Sequence, residues 1–271
     1  MSVKLLLVGG GKMGEAMLAG WLQNSLTPKD IIIVEPFDAT GQTLSDTYGV
    51  QVVADAAGLP DHLNPETVVL AVKPQMMDAA IDAYARFTGP DCLFVSIAAG
   101  KTITYFEKHL GDSAAIVRAM PNTPAAVGRG ITVGCPNAHV TSSQRTWADE
   151  LLHAVGVVAW VDDEAQIDAV TALSGGGPAY VFLLVEVMAK AGVEAGLPED
   201  LAMQLARTTV AGAGELLYQA TEEAATLRQN VTSPGGTTAE ALRVLMAEDA
   251  LQPLMTEAIA QATKRSRELA G

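Results

Sequence analysis

Two patterns of apolar residues meet at Asp162-Asp163, and together they restrict the chain to a fold with two parts. Before that point, short apolar runs alternate with helix-like stretches. The runs cover 4–8, 30–35, 67–72 and 92–97, followed by 114–120, 130–134 and 155–161. A strand that is apolar at nearly every position is buried on both faces, and strands of that kind separated by helices form a parallel sheet with helices on either side. From Glu164 onward no strand pattern remains. Helical runs there are separated by 174–178, by Gly196-Leu197-Pro198 and by 231–238. The expected division is therefore 1–162 for the α/β part and 163–271 for an all-helical part.

The turn after the first strand carries Gly9, Gly11 and Gly14 in the spacing G-x-G-x-x-G, directly before a helix-like run at 15–24. In that setting the glycines permit a tight turn, close approach of backbone to a pyrophosphate, and close helix–strand packing. Lys12 and Met13 lie inside the motif. Glu35 ends the second apolar run, 21 residues after Gly14 (35 − 14), where a carboxylate bonds the adenosine ribose hydroxyls. This reads as an N-terminal Rossmann-type dinucleotide-binding domain. A carboxylate at 35 repels a 2′-phosphate, and Pro36 and Phe37 supply no cation to hold one, so NAD(P)H use leans mildly to NADH. Lys12 and Lys73 weigh the other way. Ala71, Val72, Lys73 and Pro74 follow the third of these runs, over the crevice where such sheets bind ligands. The alternative is that Pro74 simply ends the strand and Lys73 is solvated. The turns holding Ala98 and Asn122 follow further strands and floor a nicotinamide pocket.

In the helical half, Pro178 and Pro198 suit first helical positions, and Glu199-Asp200 puts negative charge in a first turn. The stretch 180–191 is apolar nearly all round apart from Glu186 and Lys190. Such a helix is normally buried on several sides. The half is small for that much apolar surface, which predicts a homodimer through it. Its last turn, Val231-Thr232-Ser233-Pro234-Gly235-Gly236-Thr237-Thr238, sets two glycines between a proline and two hydroxyls just before a helix-like run at 239–247. A turn of that kind offers backbone N–H groups and hydroxyls to one small anion.

The net charge of −14 argues against general affinity for nucleic acid or anionic membranes, which bind through clustered Lys and Arg. Cys92 and Cys135 are too few for a disulfide framework or zinc site, and the four histidines lack metal-ligand spacing. No metal site is expected. No apolar run reaches the roughly 20 residues that cross a bilayer, and the first residues pass straight into a strand without a leader pattern. A cytoplasmic protein is expected.

Taken together, the glycine motif with Met13, AVKPQ at 71–75, RAMPNTP at 118–124, LSGGGPAY at 173–180 and VTSPGGTT at 231–238 resemble the pyrroline-5-carboxylate reductases over almost the whole length. The last two motifs are the specific ones. The resemblance implies a Rossmann domain, a helical dimerisation domain, and NAD(P)H-dependent reduction of 1-pyrroline-5-carboxylate to L-proline. It also implies dimers that assemble into larger rings. Thr238 is then the hydroxyl that bonds the ring nitrogen. Gly236, Thr237 and Thr238 offer N–H groups to the carboxylate, and Gly235 and Ser233 shape or assist the same loop. A simpler role for Thr237 or Thr238 is to cap the following helix, worth about 1 kcal/mol. The chain departs from the family's LSGSGPAY at Gly176, where serine is usual. Hydroxyacid dehydrogenases of similar plan need a lysine base in the helical half. Lys190, the only lysine between Lys108 and Lys264, lies mid-helix away from the glycine turn. A dinucleotide sensor would have no use for the 231–238 turn.

Overall fold

The computed structural model describes residues 3–270. Eight strands form one sheet: β1 (Leu5–Val8), β2 (Ile31–Val34), β3 (Gln51–Val53), β4 (Thr67–Leu70), β5 (Leu93–Ser96), β6 (Ala115–Met120), β7 (Gly130–Pro136) and β8 (Gly156–Trp160). Their spatial order is β3-β2-β1-β4-β5-β6-β7-β8. The helices are α1 (Lys12–Asn24), α2 (Asp38–Tyr48), α3 (Pro74–Ala80), α4 (Ile103–Leu110), α5 (Ser142–His153) and α6 (Gln166–Val170), then α7 (Gly177–Glu194), α8 (Glu199–Gln219), α9 (Ala224–Asn230), α10 (Thr237–Leu245) and α11 (Leu251–Ala270).

The continuous apolar runs are explained by the alternation of faces. In β1, Leu5 and Leu7 join a core with Met17, Leu18 and Trp21 of α1 and Leu151 and Leu152 of α5. Leu6 and Val8 face the other way, into a core with Met77, Ile81 and Phe106. Each buried large side chain of this kind contributes about 1.5–3 kcal/mol relative to exposure. Trp21 is fully buried and donates its indole N–H to Leu151 O at 2.8 Å, which fixes α1 against α5.

The structure differs from the sequence reading at several points, among them the unpredicted strand β3. β7 pairs antiparallel with β6, although the other neighbours pair parallel. The chain between them, Pro121 to Arg129, is too short for the dozen-residue crossover that a parallel return requires. In addition, 174–178 does not separate helices. The helical run continues from Gln166 to Glu194 through a π turn at Thr171–Gly175, where glycine tolerates the wider winding. This helix is 29 residues long and contains an 18-residue window with a mean hydropathy of 1.4, so by length and composition alone it could cross a membrane, which corrects the expectation that no run does. The core helix of a soluble protein shares those properties.

The chain divides into two compact units. The first ends at Gly175 and also takes in the chain from Ala262 onward. Within it, the end of α11 is tied to α6: Ser266 donates to the buried Asp168 at 2.7 Å. The second unit is Gly176–Gln261. Its α7 and α8 meet through small residues, with Gly192 against Ala202. Much of α7 remains bare, including Val181, Phe182, Leu183 and Leu184.

Candidate functional site

The glycines of the first turn are required for different reasons. Gly9 has φ +98, a left-handed value, and a Cβ there would stand 2.8 Å from Ala71 O. A Cβ on Gly14 would strike Gly9 O, so the helix can lie against the strand only without a side chain. Gly11 differs. Its φ is an ordinary −66, and a Cβ would meet nothing within 4 Å. No protein atom demands glycine there, which fits a backbone kept clear for a phosphate group. Gly11 is also the N-cap of α1 and carries no side-chain cap. The first N–H groups of α1 are thus left for an anion, beside the exposed Lys12 and half-buried Met13.

Glu35 sits under this turn, 6% exposed. Its Oε2 accepts the Gly10 N–H at 2.7 Å and its Oε1 accepts the Phe37 N–H at 3.0 Å. The carboxylate thereby braces the turn. It keeps lone pairs for further donors. Beside it lies a polar cavity of about 290 Å³, bordered by Asp38, Gln42 and Ser45. Adjacent is an apolar slot of about 410 Å³, lined by Pro36, Ala54, Ala56, Val72, Met76 and Tyr84. The slot has the size and apolar walls to hold a planar base. Sequence reasoning named Val72 and Pro36 but missed the slot, because Ala54, Ala56, Met76 and Tyr84, which complete its walls, lie outside the motifs. A further cavity of about 540 Å³ lies at the opposite, N-terminal edge of the strands, beside Val3, Ile31 and Gln51, away from the glycine turn.

Ala71 and Val72 are half-buried, and Ala71 touches Gly9. Lys73 is exposed at the N-cap of α3, and Pro74 is that helix's first residue. The strand has already ended at Leu70, so Pro74 starts the helix and does not itself end the strand. Ala98 is 3% exposed and belongs to the apolar core, so the face presented by that turn is Ala99. Lys101 closes the turn by bonding Asp78 of α3 at 2.7 Å. Asp78 also accepts from the Tyr105 hydroxyl at 2.6 Å. The bond from Lys101, then that from Tyr105, holds the Asp78 carboxyl below its usual range. Burial, then the bond to Asp78, pushes the Tyr105 phenol up. Asn122 is engaged structurally: its Oδ1 accepts the Ile131 N–H at 3.0 Å, and its Nδ2 reaches Ser174 O at 3.4 Å. RAMPNTP and LSGGGPAY, distant in sequence, meet through this side chain.

The 231–238 turn belongs to the second unit. Gly235 has φ +69 and Gly236 caps α10 in an extended conformation, again without a side-chain cap. Thr237 and Thr238 are the first two helical residues, so neither is the N-cap, which corrects the simpler role considered for them. The Gly236 N–H is spent on Ser233 O at 3.0 Å, which removes it from the expected anion donors and leaves Thr237 and Thr238. Ser233, Thr237 and Thr238 are exposed. Lys190 is an exposed residue of α7.

Comparison with known proteins bears on both units. A family profile described as pyrroline-5-carboxylate reductase dimerisation matches residues 164–269. A second, described as NADP oxidoreductase, coenzyme F420-dependent, matches residues 4–100. The chain is 41% identical to a pyrroline-5-carboxylate reductase of Synechocystis sp., with 99% of each chain covered. It is 38% identical to the one from Pseudomonas aeruginosa, over 98% of this chain and 97% of the other. Among solved structures, a pyrroline-5-carboxylate reductase from Coxiella burnetii superposes with a TM-score of 0.92 at 35% identity, covering 100% of both chains. The Plasmodium falciparum pyrroline carboxylate reductase, solved with NADP bound, gives 0.81 at 28% identity, covering 99% of this chain and 98% of the other.

Proposed function

The chain belongs to the pyrroline-5-carboxylate reductase family, and from that premise we propose how its residues share the work. It is an oxidoreductase that reduces 1-pyrroline-5-carboxylate to L-proline with NAD(P)H, the final step of proline biosynthesis. One observation carries the division of labour. Two helices, one in each unit, begin at an extended glycine with no side-chain cap: α1 at Gly11 and α10 at Gly236. Uncapped helix starts favour anions through free N–H groups and the helix dipole. The reaction brings together two anionic ligands, a dinucleotide pyrophosphate and a ring carboxylate.

We assign the pyrophosphate to the start of α1, with Gly9, Gly11, Lys12, Met13 and Gly14, and the ribose to Glu35. The base takes the apolar slot, and Ala71 to Pro74 and the 97–102 turn border the nicotinamide end. Asn122 acts by shaping that end. The ring carboxylate takes the Thr237 and Thr238 N–H groups, on a turn bent by Gly235 and Gly236 and closed by Ser233. Dinucleotide binding is assigned to 1–162 and pairing to 163–271; the matched ranges 4–100 and 164–269 fall within these halves, whereas the compact units divide at Gly175 and return the chain from Ala262 to the first.

When bound, the reduced nicotinamide would supply a hydride to the imine carbon. An iminium would then become the neutral amine with the proton it already carries, and a free imine would take its proton from water. The Thr238 hydroxyl serves either state of the nitrogen, donating to a free imine or accepting from an iminium. No strong acid is needed if the iminium arrives protonated. The protein's contribution is then chiefly orientation.

The cofactor reading leans to NADH, since Glu35 repels a 2′-phosphate and already occupies the Phe37 N–H. The bare face of α7 is assigned to a second copy of the chain, in a homodimer that builds into a ring of dimers. No nucleic acid or membrane partner is assigned. Two free, buried cysteines suit a reducing compartment, and we assign the cytoplasm.

The test is oxidation of NADH and of NADPH, separately, by the purified protein with 1-pyrroline-5-carboxylate. Turnover with both, and a higher kcat/KM for NADH, is expected. Turnover with neither overturns the assignment of roles. A preference for NADPH overturns only the part given to Glu35.

A further inference from the structure

We infer that Glu164 is a positioning residue for the dinucleotide. Through one carboxylate oxygen it fixes the start of α4, and with it the 97–102 turn at the nicotinamide end. The inference rests on the reading of that turn as part of the cofactor site.

Glu164 lies outside every motif in the chain. Its Oε1 accepts two hydrogen bonds, from the Ile103 N–H at 2.8 Å and from Arg118 Nη1 at 2.7 Å. Ile103 is the first residue of α4, which begins as the turn ends. The N-cap Thr102 satisfies the Tyr105 N–H from within the helix. Glu164 satisfies Ile103 from 61 positions away. A carboxylate at a helix start is also favoured by the dipole.

The sheet explains how so distant a residue arrives there. Ser96, Arg118 and Cys135 stand in register across β5, β6 and β7. The Val161 N–H bonds Gly134 O, next to Cys135. The reversal at β7 thus delivers the chain leaving β8 to the level of Arg118 and of the end of β5.

Arg118 explains why the link is stiff. Its side chain is 3% exposed, and its Nε and Nη2 find no hydrogen-bond acceptor among the described residues. A buried guanidinium with so few partners depends on the Glu164 charge. The carboxylate therefore cannot swing aside without leaving that cation uncompensated, and the oxygen that holds Arg118 is the one that holds α4. The far side of the turn is held separately, by Lys101 on Asp78 and by Gly100 packed against Leu269.

The test compares Glu164→Leu with Glu164→Gln in the full chain. Three quantities are read: amide hydrogen exchange across 97–106 without ligand, the Kd for NADH by fluorescence, and steady-state KM and kcat. The leucine variant is expected to exchange faster across that segment. Its Kd and KM for NADH should rise about tenfold, the worth of one charge-assisted hydrogen bond, with kcat at saturation changed less. The glutamine variant keeps a carbonyl oxygen for the Ile103 N–H but not the charge that Arg118 requires, and should recover only part of the loss. If Glu164→Leu fails to fold, Arg118→Met combined with Glu164→Leu removes the stranded cation, and the same quantities are read on it.

Unchanged exchange and unchanged Kd in the leucine variant overturn the role given to Glu164. Ala99→Leu tests the turn independently: a raised Kd there upholds the turn as part of the cofactor site even if Glu164 plays no part in it. Faster exchange in Glu164→Leu with an unchanged Kd in both variants overturns the reading of the turn, and the inference with it.

Discussion

The Gly10 N–H and Glu35 Oε2 stand 2.7 Å apart, joining the glycine turn to the end of β2 across 25 positions of sequence. One buried carboxylate thus braces the loop expected to receive a pyrophosphate and, under the proposed assignment, sets the charge where a 2′-phosphate would lie. Glu35→Gln keeps one acceptor and loses the charge. The ratio of kcat/KM for NADPH over NADH should rise by about tenfold, the effect of removing roughly 1.4 kcal/mol of repulsion at a partly solvated site. Steady-state kinetics with both dinucleotides measure it, and an unmoved ratio removes Glu35 from cofactor choice.

Gly9 and Gly11 predict opposite phenotypes from the same substitution. Gly9→Ala forces a side chain into a left-handed backbone and against Ala71 O, so it should lower the melting temperature sharply or abolish folding. Gly11→Ala meets no protein atom and should cost at most about 1 kcal/mol of stability, as a poorer N-cap. Its dinucleotide Kd should nevertheless rise at least about tenfold, because the added methyl fills the space where phosphate approaches backbone. Calorimetry and NADH titration on the two variants separate these effects.

Thr238 is exposed at the second position of α10, with no capping duty. Thr238→Ala should therefore leave stability nearly unchanged and lower kcat by about 10- to 100-fold, as expected when a hydrogen bond to a charged or charging group is lost. Thr238→Ser should retain most activity. Wild-type kinetics in the alanine variant would remove the hydroxyl from the mechanism.

The fold should weaken in alkali. Burial pushes the Cys92 thiol from 9.0 up to about 12 and the Tyr84 phenol from 10.0 up to about 12. The folded state then keeps protons that the unfolded state releases. The associated stability is present in full below pH 9 and declines as pH rises towards about 12. Urea midpoints at pH 8 and pH 10.5 should show the fall. Iodoacetamide at pH 8 should leave Cys92 unmodified until the chain unfolds, since the thiolate is the reactive form.

Most of the sheet was legible because its strands are buried on both faces, so β1, β2, β4, β5 and β6 appear as unbroken apolar runs. β3 was not, being a three-residue strand that opens with the exposed Gln51. The direction of β7 was also invisible, since an apolar run carries no sign of polarity. Three glycines at 175–177 suggested a break, yet the helix passes through by widening one turn. At the site, the positions of Gly9, Gly11, Gly14 and Glu35 could be read, but the partners of Glu35 could not, because a turn N–H leaves no mark in sequence. The Glu164 link was hidden for a related reason. It spans 46 positions to Arg118 and 61 to Ile103, and only the strand reversal closes those distances.

The empty space around Gly11 has a bearing on descent. Gly9 and Gly14 are held by the protein's own atoms, so every lineage that keeps this fold must keep them. No protein atom holds Gly11 to glycine, and under the proposed assignment only a bound phosphate does. In a lineage that no longer needed a dinucleotide, position 11 would be the first of the three to drift. A side chain at 11 beside intact glycines at 9 and 14 would then identify a descendant that has kept the architecture and abandoned the chemistry.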